Sequence, residues 1–261
     1  MPIDVKSLYD LRGKSAYIPG GYGGIGAAIA WGLASCGASV VVSGRKKEKA
    51  DALAAQLKSA GHEACSIAMD ANSVAEIRES VDFVAGKYGR VDILVNCVGI
   101  NIEMPMLEFT EEAYDEVYRV NQKAAMFLGQ QVGRHQVKAG RGGKQVHILS
   151  VRSQLALRGR GYSAYCSTKA AMALLIKQHA MELAPHKINV NGVAPTFIYT
   201  DMVTDMLADA NFKNMLLARI PLGRIGNPDD TAGPAVFLCS AASDFMTGQV
   251  VFADGGVTAC Q

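Results

Sequence analysis

The 261-residue sequence predicts an α/β fold in which a parallel sheet of seven strands is covered by helices on both faces. Short apolar runs rich in β-branched residues alternate with helical patterns from the first run to the last. Strands that are apolar throughout belong to sheets buried on both faces, and the helices between them make the crossovers that parallel strands need. Because no low-complexity linker divides the chain, we expect a single doubly wound domain over residues 1–261.

Each element of this alternation has its own sequence signal. The β-branched run 40–42 marks the second strand, and apolar residues at 74, 77, 81 and 84 recur at the spacing of one helical face. The predicted strands are 15–18, 38–43, 62–69, 91–95, 145–149, 188–193 and 249–252. The clearest predicted helices are 25–36, 50–57, 74–84, 112–137 and 229–240, together with one around Tyr165 and Lys169.

Residues 200–226, between the last two strands, have a different character. This segment contains Met202, Met206 and Met215, followed by Leu216 and Leu217. Methionine is flexible and adapts to irregular surfaces, and sheets of this kind bind ligands at the carboxyl ends of their strands. We therefore expect a small mobile substrate lid at 200–226, the alternative being an ordinary helix packed on the core.

Composition excludes several classes of protein. A net charge of +2 with dispersed basic residues gives no field for nucleic acid or an anionic membrane. The start of the chain has no pattern of a secretory leader, and no apolar run approaches the roughly 20 residues of a membrane span. We expect a cytoplasmic protein without a metal or disulfide framework, because no Cys-x-x-Cys spacing occurs among Cys36, Cys65, Cys97, Cys166, Cys239 and Cys260.

Tyr165 and Lys169 form the strongest candidate for chemistry. Residues at i and i+4 share a helical face, so the lysine cation can favour the phenolate and lower the pKa of the tyrosine from about 10. A tyrosine with such a pKa can act as an acid or base near neutral pH. The pair alone also fits an exposed surface helix, so its meaning depends on the rest of the chain.

A glycine-rich loop at 20–26 follows the first strand and precedes a helix. Glycines permit positive φ and close backbone approach, and the free N–H groups of the helix end attract a diphosphate. The pattern fits Gly-x-Gly-x-x-Gly at 21, 23 and 26, and it also fits Gly-x-x-x-Gly-x-Gly at 20, 24 and 26. The order of strand, glycines and helix predicts dinucleotide binding, although spacing alone leaves the register open.

The end of the second strand indicates which dinucleotide. A ribose-binding acid is expected about 20 residues past the glycines, but Ser43-Gly44-Arg45-Lys46 offers none. Arg45 is suited to a charge-assisted bond with a 2′-phosphate. The sequence therefore favours NADP over NAD, with NAD still possible and a solvated basic turn as the alternative for Arg45.

Together these features resemble the classical short-chain dehydrogenase/reductase superfamily over nearly the whole chain. The resemblance also rests on Asp70, on Asn96 to Gly99, on Asn121 and Ser150, on Pro195 with Thr200, and on Asp254-Gly255-Gly256. It implies a Rossmann-type domain, usually a homotetramer, that moves hydride between a nicotinamide and a carbonyl or alcohol. It also selects the register Gly20, Gly24 and Gly26.

The resemblance assigns roles residue by residue. Tyr165 would be the acid or base, Lys169 would lower its pKa and hold the nicotinamide ribose, Ser150 would bind the substrate oxygen, and Asn121 would support a water in a proton relay. Helix capping or a polar turn is the alternative for Asp70, Asn96 and Asn121. The cofactor-binding set would be Gly20, Tyr22, Gly24, Ile25, Gly26, Arg45, Lys46, Asp70, Ala71, Asn96, Gly99, Tyr165, Lys169, Pro195, Ile198 and Thr200.

The chain departs from the family pattern between Ser150 and Tyr165, where the separation is longer than usual. Ser153 is the alternative serine, but Ser150 follows directly after an apolar strand, at its carboxyl end. Other departures are Pro19 for threonine, Cys97-Val98 for Asn-Ala, and Thr196 for glycine. These affect the support of the site and not its chemistry.

The segment after Ser150 carries Arg152, Arg158 and Arg160, which predicts a polar pocket. Arg152 is the candidate for binding an anionic group, because guanidinium donates two parallel hydrogen bonds to a carboxylate. The alternative is a solvated or intersubunit arginine. The subfamily that the chain resembles is that of gluconate 5-dehydrogenase-like sugar-acid enzymes. The alternatives are a 3-oxoacyl-acyl-carrier-protein reductase, whose acidic carrier protein the arginines would receive, and a non-catalytic dinucleotide-sensing regulator.

Overall fold

The computed structural model describes residues 3–200 and 203–259, which form one α/β domain. Its sheet has seven strands in the order β3-β2-β1-β4-β5-β6-β7, and every neighbouring pair is parallel. This confirms the predicted fold class. The strands are β1 Ser15–Pro19, β2 Ser39–Gly44, β3 Ala64–Ala68, β4 Ile93–Asn96, β5 Gly143–Ile148, β6 Ile188–Pro195 and β7 Val250–Ala253.

Helices cover both faces of the sheet, as continuous burial of its central strands requires. One apolar layer packs α1, α2 and α9 on the sheet, and the other face packs against α3, α5 and α6. The strand order reverses between β1 and β4, and this is where open sheets form a ligand crevice. The helices are α1 Gly24–Ser35, α2 Lys47–Ser59, α3 Val74–Tyr88, α4 Glu111–Tyr118, α5 Ala124–Ala139, α6 Ser163–Leu183, α7 Thr204–Ala208, α8 Ala210–Leu217 and α9 Pro228–Cys239.

The single helix predicted over about 112–137 is interrupted. A π-helical turn at Arg119–Lys123 separates α4 from α5. Apolar spacing continues across the turn, which explains why the sequence predicted one helix. Such π-turns occur often at functional sites, and this one contains the buried Asn121.

The segment after β6 forms two short helices, α7 and α8. They pack around a small apolar cluster of their own, which is distinct from the clusters that flank the sheet and contains Leu207, Leu216, Ile220 and Ile225. Met202, one of the predicted lid methionines, lies outside the described residues. The mobility of this segment stays a prediction.

The structure also bears on two further features of the sequence, its cysteines and its apolar segments. Cys36, Cys65, Cys97, Cys166 and Cys239 are free thiols, whereas Cys260 lies outside the part of the chain that the structure describes. In that same part, no helix combines the length and the apolar character that crossing a membrane demands.

Candidate active site

A cavity of about 320 Å³ opens at the carboxyl ends of β4, β5 and β6. Tyr165 and Lys169 from α6, Ser150 from the end of β5, and Arg152 all line it. The fold therefore gathers residues from distant parts of the sequence at one edge of the sheet. Of the predicted cofactor set, the same cavity is lined by Ile25, Gly99, Pro195, Ile198 and Thr200.

The glycine loop is packed too closely for side chains at Gly20, Gly24 and Gly26. A Cβ on Gly20, whose φ is +72°, would lie 2.8 Å from the carbonyl of Cys97, and one on Gly24 would lie 2.7 Å from the Thr200 side chain. A Cβ on Gly26 would lie 2.7 Å from the Gly20 oxygen. On Gly23 the nearest atom would be 3.8 Å away. Close packing therefore explains why glycine is required at 20, 24 and 26. The alternative register, 21, 23 and 26, has no such requirement at Gly23.

Tyr165 and Lys169 share a face of α6, as their spacing predicts. Lys169 Nζ lies 5.7 Å from the Tyr165 ring centroid and donates to the Ile148 carbonyl at 2.9 Å. Burial lowers the pKa of Lys169 to about 8. Its ammonium therefore loses its proton at a lower pH than an exposed lysine does, and it remains mostly charged at neutral pH.

The expected lowering of the tyrosine pKa is wrong for this structure. Burial raises the pKa of Tyr165 to about 12, and the hydrogen bond with Ser150 offsets this only in part. The physical reason is desolvation of the phenolate, which outweighs the favourable contacts. Tyr165 is accordingly a neutral phenol, the form that donates a proton.

The structure separates the two candidate serines. Ser150 lines the cavity together with Tyr165 and lowers the pKa of its phenol, and the Ser150 Oγ accepts the Arg152 backbone N–H at 3.1 Å. Ser153 is not among the residues that line the cavity, and its buried Oγ has no hydrogen-bond partner among the described residues. Ser150 is therefore the serine placed beside the phenol.

Both ends of the Asn121 side-chain amide form hydrogen bonds within the protein. Its Oδ1 accepts the Ile100 N–H at 2.8 Å, and its Nδ2 donates to the Ile100 carbonyl at 2.9 Å and to Thr168 Oγ1 at 3.1 Å. These bonds tie the loop after β4 to α6. The π-turn aims the amide inward, and sequence spacing gives no signal of that turn.

The predicted adenosine-side residues have local partners as well. Asp70 Oδ1 accepts the Asn72 N–H at 2.9 Å, the polar-turn geometry that was its alternative, and Ala71 packs against the apolar layer of α3 and α5. Asn96 is fully buried, and its Oδ1 accepts the Val98 N–H at 3.1 Å.

The basic turn after β2 is open to solvent. Arg45 and Lys46 are exposed, and the Lys46 N–H donates to the Tyr22 hydroxyl at 3.3 Å. The Tyr22 ring lies over Gly44, where a Cβ would sit 2.3 Å from a ring carbon. Sequence reasoning did not identify this contact, which joins the glycine loop to the end of β2.

The three arginines have different environments. Arg152 is buried and its Nη1 donates to the Leu155 and Ala156 carbonyls at 3.2 and 2.7 Å, while burial lowers its pKa. Arg160 instead pairs with Glu103 and lies 4.8 Å above the Phe212 ring centroid. Arg158 is exposed. Of the three, Arg152 is the one that lines the cavity.

The fold and the gathered tyrosine, lysine and serine define an oxidoreductase with a dinucleotide crevice. A family model described as Enoyl-(Acyl carrier protein) reductase matches residues 21–258. The chain belongs to the short-chain dehydrogenase/reductase family, which acts on CH–OH groups with NAD(P). This confirms the resemblance seen in the sequence.

Several individual relatives within this family are named as enzymes that act on gluconate or ketogluconate. Gluconate 5-dehydrogenase of Gluconobacter oxydans (strain 621H) is 38% identical over 251 residues, covering 96% of this chain and 97% of that one. 5-Keto-D-gluconate 5-reductase of Escherichia coli (strain K12) is 35% identical over 254 residues, covering 97% and 98%. A crystal structure of a gluconate 5-dehydrogenase from Burkholderia cenocepacia J2315, in complex with NADP and tartrate, is 36% identical with a TM-score of 0.94, covering 99% of this chain and 100% of that one.

Proposed function

We propose that the protein is an NADP-dependent dehydrogenase that interconverts a secondary alcohol and a ketone on a sugar acid such as gluconate. The observation that carries the proposal is the placement of Ser150, Tyr165, Lys169 and Arg152 in one cavity. The first three suit proton transfer at a carbonyl oxygen, and the fourth suits a carboxylate. The names of the gluconate-acting relatives agree with this substrate class.

The residues present fit a dinucleotide. The glycine loop leads directly into α1, which begins at Gly24, and the free N–H groups at this helix N-terminus favour an anion such as a diphosphate. At the end of β2, Arg45 is exposed and no acid competes with a 2′-phosphate. When bound, NADP(H) supplies or accepts the hydride. It would be held by Gly20, Tyr22, Gly24, Ile25, Gly26, Arg45, Lys46, Asp70, Ala71, Asn96, Gly99, Tyr165, Lys169, Pro195, Ile198 and Thr200.

Proton transfer follows from the geometry of three side chains. In the reducing direction, the neutral Tyr165 phenol donates its proton to the ketone oxygen while Ser150 hydrogen-bonds the same oxygen. The nearby Lys169 cation stabilises the phenolate left behind. Asn121 keeps α6 and the loop after β4 in register, and its role in a water relay is part of the proposal. In oxidation the same proton moves back to Tyr165.

Arg152 would bind the carboxylate of the substrate. Its Nη1 is anchored on two backbone carbonyls, which fixes the plane of the guanidinium in the cavity wall. A charge-assisted bond gains strength where water is excluded.

The substrate prediction is tested by comparing variants of two arginines in the same loop. Arg152→Ala should raise KM for gluconate at least tenfold and leave KM for a neutral polyol of similar size within about twofold. Arg158→Ala, at an exposed position, is the matched control and should change neither. Activity confined to neutral apolar ketones, unaffected by Arg152→Ala, would rule out the carboxylate contact.

A second candidate is a 3-oxoacyl-acyl-carrier-protein reductase. It is favoured by the acyl-carrier-protein description of the matching family model and by the exposed Arg158 beside the cavity loop. An assay of NADPH oxidation with a 3-oxoacyl thioester and with 5-ketogluconate separates the two substrates. A non-catalytic sensor would turn over neither, and it would have no need of Ser150, Tyr165 and Lys169.

The proposal includes a cytoplasmic homotetramer with a lid. The family resemblance supports the tetramer, and light scattering on the purified protein measures its mass. Residues 200–226 would close over bound substrate, since Val203 and Met206 line the cavity. Protection of this segment from proteolysis by NADP and gluconate together would support closure, and equal cleavage with and without ligands would contradict it.

A further inference from the structure

His147 is a buried imidazole in β5 to which the proposed reaction assigns no role. It is 1% exposed and lies on the face of the sheet that packs against α5 and α6. Its Nδ1 lies 3.3 Å from the Asn96 side-chain nitrogen, across the β4–β5 pair. No sequence pattern singled it out, because a lone histidine in an apolar strand carries no spacing signal.

The hydrogen bonds of Asn96 determine which nitrogen of His147 carries the proton. Asn96 Oδ1 accepts the Val98 N–H, so its NH₂ group is the one that faces the imidazole. His147 Nδ1 must therefore accept a hydrogen bond, and the ring proton lies on Nε2.

Burial keeps the ring neutral, lowering the pKa of His147 to about 3. The protonated Nε2 is buried and has no partner among the described residues. An unpaired buried donor costs stability. The unpaired Nε2–H of His147 therefore lowers the stability of the fold, while Nδ1 of the same ring provides Asn96 with a hydrogen-bond acceptor.

Asn96 uses its other end to fix the turn 97–99, which contacts two parts of the site. The Cys97 N–H donates to the Pro19 carbonyl at 2.9 Å, and the Cys97 carbonyl lies against Gly20. Gly99 faces Lys169, where a Cβ would be 3.3 Å from Nζ. The turn thus fills the space between the glycine loop and the buried lysine.

We propose that His147 is a positioning residue, whose neutral Nδ1 holds Asn96 and, through it, the turn 97–99 against the glycine loop and Lys169. The inference rests on the proposed cofactor site, because the turn is a wall of that site. His147 acts through Asn96 and does not itself line the cavity. Loss of the acceptor should therefore weaken cofactor binding.

Two substitutions differ in where they leave an acceptor. In His147→Asn the side-chain oxygen can take the place of Nδ1, whereas in His147→Gln the amide extends to the place of Nε2 and withdraws from Asn96. Titration of NADPH fluorescence should give a Kd within about threefold of wild type for the Asn variant and at least tenfold higher for the Gln variant. At saturating NADPH, kcat should fall in the Gln variant only.

His179→Gln is the matched control. His179 is a second buried imidazole, carried by α6, the helix that packs on the His147 side of the sheet, and it makes no hydrogen bond to the turn 97–99. Its thermal midpoint should fall while its Kd for NADPH stays within about twofold of wild type. Midpoints measured for all variants separate loss of stability from loss of positioning.

The outcomes distinguish the inference from the function on which it rests. Absence of saturable NADPH binding to wild type would overturn the proposed cofactor, and the role of His147 with it. Wild-type binding with equal Kd values for the Asn and Gln variants would overturn the role of His147 alone. If His147→Gln does not fold, His147→Leu removes the acceptor and still fills the buried position: a Kd at least tenfold higher supports the inference, and an unchanged Kd overturns it.

Discussion

Lys169→Met should change how the stability of the protein depends on pH. The ammonium is buried and its pKa is about 8, compared with the ordinary value of 10.5 that applies in the unfolded chain. Between these two values the unfolded chain binds more protons than the folded one, so the free energy of unfolding rises with pH. The full difference corresponds to about 3.4 kcal/mol, of which about 2 kcal/mol is gained between about pH 7 and about pH 9.5.

Urea unfolding of wild type and Lys169→Met across this range, without cofactor, measures the effect. Other titrating groups are common to both proteins, so the difference between their free energies of unfolding isolates the lysine. Wild type should gain about 2 kcal/mol on the variant as pH rises. Parallel stability curves would show that Lys169 titrates normally, and the argument from its burial would then be refuted.

Three further substitutions test the proposed roles. Tyr165→Phe should lower kcat by about 10²- to 10⁴-fold and leave the Kd for NADPH unchanged, because it removes the transferred proton and little contact surface; wild-type turnover would contradict the role. Ser150→Ala should lower kcat more than Ser153→Ala, and the reverse order would transfer the role to Ser153. Arg45→Ala should raise the Kd for NADP by about tenfold to a hundredfold, matching the 1.5 to 3 kcal/mol of a charged hydrogen bond, without affecting NAD; equal affinities before and after would make Arg45 a surface charge.

The fold could be predicted because its signals are local. Each strand is a short apolar run and each major helix has an apolar face, so the seven strands lie within about two residues of their predicted bounds. The π-turn at Arg119–Lys123 was missed because it adds one residue to a helical turn without changing its composition. Its position depends on the packing of Asn121 between the loop after β4 and α6.

The site could be predicted where residue type and spacing are distinctive. Prediction failed where the properties of a residue depend on its surroundings in the folded protein. Tyr165 and Lys169 stand out by type and spacing, but the direction of the tyrosine pKa depends on burial, which spacing does not reveal. The same limit applies to the arginines. Their sequence positions are similar, yet Arg160 is held by Glu103 and Phe212 while Arg152 reaches the cavity.

The loop after β4 connects these observations. Asn96 holds its Val98 N–H from the sheet side, and Asn121 holds its Ile100 N–H from the helix side. Gly99 lies between these two bonds, and a Cβ at this position would be in tight contact with the Lys169 ammonium, 3.3 Å from Nζ. Two buried amides, neither of them an acid or a base, therefore limit how far the lysine can move. Lys169 also donates a hydrogen bond to the Ile148 carbonyl at the end of β5. The position of its charge relative to Tyr165 is therefore set by the backbone of β4 and β5 and by the loop after β4, which packs against α6.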